Sequence, residues 1–150
     1  MTVMDFLLEF SDAQNIAAST LSSGASVISS YVRDLGASEK DCFGVALTPD
    51  IGESGELEFN VQVAAVFTGA GAIVNAKLTT KASSATLSSG GTTLATLAIP
   101  ALSAAGYRKS VKVPSGSVLQ YIGVVYTASG GGLTAGTVDA WIGLDHEKTD

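Results

Sequence analysis

The sequence predicts an all-β protein, an antiparallel jelly-roll-like β-sandwich of about eight strands. Three observations support this fold class: short segments of period-2 hydrophobic alternation, clusters of Gly, Ser and Pro between them about every ten residues, and no long helical spacers. The length of 150 residues suits one hydrophobic core, and no longer repeat indicates a solenoid or propeller. We therefore expect residues 1–150 to form a single domain.

The clearest strands lie in the middle of the chain. Apolar and polar residues alternate over residues 57–67, and they alternate again over residues 74–80. Gly69-Ala70-Gly71 separates the two runs. Two alternating runs joined by a short Gly-rich turn predict a β-hairpin.

The remaining elements are assigned from composition and turn signals. Residues 25–32 are predicted to form a strand because they are rich in β-branched and aromatic side chains. Residues 6–18 leave two alternatives open, a short helix and a strand. Four more extended segments follow the central pair, separated by Gly, Ser and Pro turns, at residues 93–99, 109–113, 117–127 and 136–144.

Composition excludes several classes of function. The chain is 46% hydrophobic and 15% charged, which favours a folded protein over a disordered one. Its net charge of −6 argues against nucleic-acid binding, which needs a basic surface. The N-terminus lacks the basic start of a signal peptide, and no apolar run approaches the about 20 residues of a membrane helix. We expect neither a nucleic-acid nor a membrane partner.

Residues suited to catalysis are sparse. His146 is the single histidine, and Cys42, the single cysteine, is predicted to be a small apolar residue packed inside the sandwich. The sequence Gly52-Glu53-Ser54-Gly55-Glu56 departs from a nucleophile elbow at its last position. The carboxylate-rich loop at residues 50–58 is interpreted as a solvated loop, with a divalent cation as the alternative. We expect no enzyme, no catalytic residue, no cofactor and no metal.

Charge is distributed unevenly along the chain. Carboxylates are frequent before residue 61 and after residue 135, and the stretch between contains none. Five of the eight basic residues lie in that stretch. One interpretation is that strand exteriors use Ser, Thr and Lys while loops use acids. The other is electrostatic complementarity between neighbouring subunits, which would fix orientation more than it adds affinity.

Several stretches are similar to a known family. They are residues 4–14 at the start, the strand at 57–67, Ala104-Ala105-Gly106-Tyr107-Arg108, Val113-Pro114-Ser115-Gly116, and residues 119–127 and 132–140. In this order they resemble the Bbp16-type capsid cement proteins of tailed bacteriophages, and residues 42–56 are the least family-like part. The resemblance implies a jelly-roll domain that assembles into small homo-oligomers on the outer surface of the phage head. There it would stabilise contacts between major capsid protein subunits.

The resemblance also implies partners and a location. We expect the major capsid protein and further copies of this chain as partners, with a dimer favoured over a trimer. The expected location is the outer surface of the virion, after assembly in the host cytoplasm. The alternative function is a jelly-roll carbohydrate-binding or host-attachment module, which would need an exposed aromatic shelf.

Candidate contact residues follow from side-chain type. Aromatic residues dominate interface energetics, so candidates for the oligomer interface are Tyr121, Tyr126 and Trp141, with ordinary core packing as the alternative for each. Candidates for capsid contact lie in an extended N-terminal arm at residues 1–12 and in a cationic group. They are Phe6, Phe10, Arg108, Lys109 and Lys112.

Overall fold

The protein is built from β-strands. The structure is a computed structural model, and it describes residues 8–17, 21, 24–36, 42–44, 57–69, 71–116 and 118–144. These residues form nine strands and one short 3₁₀ helix, Ser84–Thr86, so the all-β prediction is confirmed. The strands are β1 (Glu9–Asn15), β2 (Ser26–Ile28), β3 (Arg33–Asp34), β4 (Leu57–Thr68), β5 (Ile73–Lys81), β6 (Thr92–Ile99), β7 (Arg108–Lys112), β8 (Tyr121–Ser129) and β9 (Ala135–Leu144).

The strands form two antiparallel sheets with jelly-roll connectivity. Sheet I has the order β1-β9-β4-β7, and sheet II has the order β2-β8-β5-β6, with β3 also paired to β8. The pairs β1·β9, β2·β8, β4·β7 and β5·β6 are nested from the chain ends inward, as in one long hairpin rolled on itself. The pairs β4·β9 and β5·β8 then join these ribbons into sheets. This topology is the jelly-roll arrangement that the sequence predicts.

Alternation along each strand explains why the sheets stack. Every second side chain of the central strands points inward, and these side chains are almost fully buried. Because each sheet is apolar on one face, the two faces pack together and form one core. Many of the buried core side chains belong to β4, β5, β8 and β9. They include Phe59, Val61, Val63, Phe67, Val74, Leu78, Val124, Tyr126, Val138 and Ile142.

The predicted hairpin between the two central strands is wrong. β4 belongs to sheet I and β5 to sheet II, so the turn after Thr68 crosses from one sheet to the other instead of joining hydrogen-bonded neighbours. Alternation could not reveal this, because a strand has one inward face in either sheet. Two smaller differences concern the first half: residues 25–32 hold the short β2, with β3 following at Arg33–Asp34, and the open choice for residues 6–18 resolves as the strand β1.

Side chains connect the two sheets along the β1 side. Gln14 on β1 donates from Nε2 to the Ile28 carbonyl at 2.8 Å and accepts from the Ser30 amide at 2.9 Å. The Arg33 guanidinium donates to the Glu9 carbonyl at 2.7 and 3.0 Å. These bonds hold the edge of sheet I against the segment that contains β2 and β3.

Candidate functional site

The fold places opposite charges at opposite edges of sheet I. Glu9 and Asp12 lie on β1 and Asp139 on the neighbouring β9; we call these three the acidic edge. The basic edge consists of the exposed residues Arg108, Lys109 and Lys112 on β7. Three strand spacings of about 4.8 Å separate β1 from β7, about 14 Å, and two spacings separate Asp139 on β9 from β7, about 10 Å. Both distances exceed the Debye length of about 8 Å at physiological salt, so the two edges interact weakly within one subunit.

The acidic edge is crowded. Burial and the charges of Asp12 and Asp139 raise the pKa of the Glu9 carboxyl, and the nearby Arg33 opposes them. The Asp139 carboxylate also accepts a hydrogen bond from the Ala13 amide at 2.6 Å. Ala13 has φ +41° at an irregularity in the β1·β9 pairing, so Asp139 stabilises this unusual backbone. The edge therefore carries net negative charge and a fixed local shape.

The basic edge holds its cations by specific contacts. Arg108 donates to Asn60 Oδ1 from Nε at 3.2 Å and from Nη2 at 2.7 Å. The Lys109 ammonium donates to the Ala98 carbonyl of β6 at 3.0 Å, which bridges the edges of the two sheets. Lys112 lies opposite Glu58 in the β4·β7 register. The three residues are exposed to solvent, and the contacts described above hold them in place. A surface that binds an acidic partner needs both properties.

The structure separates the three aromatic candidates. Tyr126 is fully buried, and its hydroxyl forms a 2.8 Å hydrogen bond with the Ser11 hydroxyl, so it acts as a core residue and offers no surface to a second copy. Trp141 lies on the outer face of sheet I, 91% buried beneath Arg108. Tyr121 is half-buried at the start of β8, and its hydroxyl accepts a hydrogen bond from Gln120. These three residues do not form an aromatic shelf.

Other candidates fall inside the core or outside the described residues. Phe10 is 1% exposed and packs in the core, so it is not available for capsid contact. Residues 9–12 belong to β1, which removes them from the expected extended arm, and Phe6 lies outside the described residues. The predicted burial of Cys42 is wrong, since its side chain is exposed. His146 and residues 50–56 also lie outside the described residues.

Comparison with known proteins identifies the family. A family model described as Bbp16 matches residues 10–142. The chain belongs to the Bbp16 family. This is a phage-associated family, and the resemblance noted in the sequence is confirmed. No curated protein matches the chain. The match to the Bbp16 family spans all of β2 to β8, so it includes the whole basic edge and most of the acidic edge.

Two apolar surface features of this Bbp16 family member had no signal in the sequence. The first is a pocket of about 60 Å³ at the end of the sandwich where β4 begins. The second is a group of exposed apolar residues where the connection between β6 and β7 runs beside the end of β4. The alternating pattern of β4 correctly predicts that Val66 lies in a strand. Nothing in the sequence around Leu102 indicates its left-handed backbone. The pocket is lined by Leu8, Phe10, Arg33, Leu35, Leu57, Ile122 and Ile142.

Among the described residues, no group of three or more His, Cys, Asp or Glu side chains is arranged to hold a metal ion. Within the same part of the chain, no helix has the length and apolar composition needed to cross a membrane.

Proposed function

We propose that this protein is a capsid cement protein, which binds the outer surface of a tailed-phage head and stabilises contacts between major capsid protein subunits. The observation that carries the proposal is the opposed charge of the two edges of sheet I, on a rigid jelly roll. Such a surface suits a subunit that docks in one orientation between neighbours. Membership of a phage-associated family supports the same setting.

Cementing requires added interface and no chemistry. A protein that spans the boundary between two shell subunits adds contacts that must break before the shell opens, so it stabilises the closed shell in proportion to its binding free energy. Stable interfaces of this kind bury about 1,200–2,000 Å². The proposal therefore includes no enzymatic activity, no cofactor and a location on the outer surface of the virion, after assembly in the host cytoplasm.

The charged edges also support self-association, with a dimer favoured. Two copies stacked through the outer faces of sheet I, related by a two-fold axis parallel to the strands, place Arg108 and Lys112 of each copy over the partner's acidic edge. Lys109 is directed toward sheet II and takes no part in this contact. Both complementary contacts then form in one closed pair. A trimer is the alternative, in which each basic edge contacts the acidic edge of the next copy in a ring.

Cosedimentation with phage heads that lack the protein tests the proposal, together with light scattering of the protein alone. We expect saturable binding and a defined oligomer. The double variant Lys109→Glu, Lys112→Glu should lose occupancy at physiological salt, because it reverses the charge of the basic edge. The matched control is Lys77→Glu, which reverses a lysine of sheet II and should bind as the wild type does. A monomer that ignores the heads would overturn the proposal.

A further inference from the structure

A group of apolar residues is exposed at one corner of the sandwich. The backbone at 103–107 runs beside the end of β4, where the Phe67 amide donates to the Ser103 carbonyl at 3.0 Å and the Val63 amide to the Tyr107 carbonyl at 2.8 Å. Side chains from both segments face solvent, and none carries a charge. We call this group the corner patch; it consists of Ala65, Val66, Leu102, Ala104, Ala105 and Tyr107.

Exposure in the corner patch is unusual for large apolar side chains. Val66 is 51% exposed and Leu102 is 66% exposed. Among the described residues from β4 to β9, including the connections between these strands, no other large apolar residue is as exposed as these two. Single exposed apolar residues are common, but neighbouring ones on two paired segments form the kind of surface that marks a protein contact.

Leu102 also has a backbone conformation that does not suit it. Its φ is +58°, a left-handed value that favours Gly or Asn and is an outlier for a bulky side chain. In return, the residue buries only about a third of its surface, since it is 66% exposed. The combination of a left-handed backbone and an exposed apolar side chain points to a role for Leu102 in contact with another molecule.

The charges around the corner patch define the chemistry of that molecule. Tyr107 is followed directly by the exposed Arg108 and Lys109 of the basic edge. Within the two segments of the patch and the strand β7 that continues from Tyr107, the charged side chains are all cations, so the border of the patch on the β7 side attracts negative charge. A complementary partner has apolar side chains that cover Val66 and Leu102, with carboxylates at their border.

We propose that the corner patch is where an acidic, apolar surface of the major capsid protein docks. This inference rests on the proposed function and adds to it the location and the chemistry of the contact. The basic edge steers the partner surface into place, and the corner patch supplies the apolar area that keeps it bound.

The variant Leu102→Gly tests the proposal because it separates folding from binding. It removes the exposed side chain and relieves the backbone, so the melting temperature should not fall. Cosedimentation with heads that lack the protein should show affinity about tenfold weaker, as expected when one buried leucine side chain is lost. Val66→Thr, which keeps the shape of the side chain and adds a hydroxyl, should weaken binding in the same direction.

The matched control is Leu119→Ala. Leu119 is 45% exposed and lies beside Thr80, at the end of β5 away from the corner patch. This variant should bind heads as the wild type does. Wild-type binding that neither Leu102→Gly nor Val66→Thr weakens would overturn this inference and leave the proposed function standing. A change in oligomeric state with unchanged head binding would also overturn it, because the patch would then contact a second copy. Absence of wild-type binding would overturn both.

Discussion

The guanidinium of Arg108 lies over the indole ring of Trp141, with its central carbon 5.0 Å from the ring centroid. The two residues belong to β7 and β9, which β4 separates, and the same guanidinium donates two hydrogen bonds to Asn60 on β4. Asn60 is 1% exposed and pairs in register with Trp141. One side chain of the basic edge therefore connects three strands of sheet I, which makes it part of the fold as well as part of a binding surface.

Replacing Arg108 should cost stability as well as charge. Arg108→Ala removes both donors to the buried Asn60 oxygen and uncovers the indole, so we expect a loss of about 1–3 kcal/mol. Arg108→Lys keeps the charge without the planar fork and should lie between wild type and alanine. Denaturant unfolding measures both. Lys112→Ala on the same strand is the control, with an expected change within about 0.5 kcal/mol. Equal losses for Arg108→Ala and Lys112→Ala would contradict this account of Arg108.

The strands of this fold could be predicted from the sequence, but their partners could not. Alternation predicts most of the residues of β4 and β5 that point inward, since the period of a strand is two residues. It fails at Ala65, which is exposed because the β4·β9 pairing is irregular on both sides of it. It contains no information about the sheet to which each strand belongs, and the predicted hairpin failed for that reason. Strand pairing depends on the whole chain, through the nesting of β1 with β9 and of β2 with β8.

Burial of the phenol of Tyr126 should make the protein sensitive to alkaline pH. Burial raises the pKa of Tyr126 well above its ordinary value of about 10, and the hydrogen bond between Tyr126 and Ser11 only partly offsets this. The unfolded chain therefore releases this proton near pH 10 while the folded protein keeps it. The stabilisation is complete below about pH 10 and is lost progressively as the pH rises toward the folded pKa.

Tyr126→Phe provides the test of that linkage. At neutral pH the variant should lose about 1 kcal/mol, because Ser11 keeps its 2.6 Å hydrogen bond to Gln14. Above pH 10 its stability should fall less steeply than that of the wild type, since the lysines titrate equally in both proteins. Denaturant unfolding between pH 7 and about pH 11 measures the two profiles. Parallel profiles would show that Tyr126 ionises in the folded state as readily as in the unfolded chain.

The candidate site could be predicted in part. The uneven distribution of carboxylates along the chain becomes the two charged edges because β1 and β9 come from the ends of the chain and β7 from its carboxylate-free stretch. The positions of the aromatic candidates could not be predicted in this way. Tyr126 on β8 and Trp141 on β9 belong to consecutive strands, yet Tyr126 is buried in the core and Trp141 lies on the outer face of sheet I. The type of an aromatic residue does not indicate whether its side chain faces the core or the outer face of a sheet. The packing of the two sheets determines this.

The turn between β4 and β5 should tolerate no side chain at Gly69. A Cβ at this position would overlap the backbone carbonyl of Gly132, and φ is +136°. Gly69→Ala should therefore cost about 3 kcal/mol, from backbone strain and overpacking together. Gly106→Ala is the matched control, because φ is +88° and nothing lies within 4 Å of the added carbon, so only the backbone strain of about 1 kcal/mol applies. Thermal unfolding of both variants measures the difference, and equal shifts would show that the close approach of the two turns is absent.

Leu102→Gly should stabilise the subunit, whatever its effect on binding. Relief of the left-handed conformation is worth about 1–2 kcal/mol, and the added freedom of glycine in the unfolded chain takes back about 0.5–1 kcal/mol. We expect a net gain of about 0.5–1 kcal/mol in the free energy of unfolding, measured with denaturant. Leu119→Gly is the control, since Leu119 is similarly exposed but has no positive φ, and it should lose stability. A loss at Leu102 equal to that at Leu119 would mean that the backbone at Leu102 is not strained, and the exposed leucine would then need no partner to account for it.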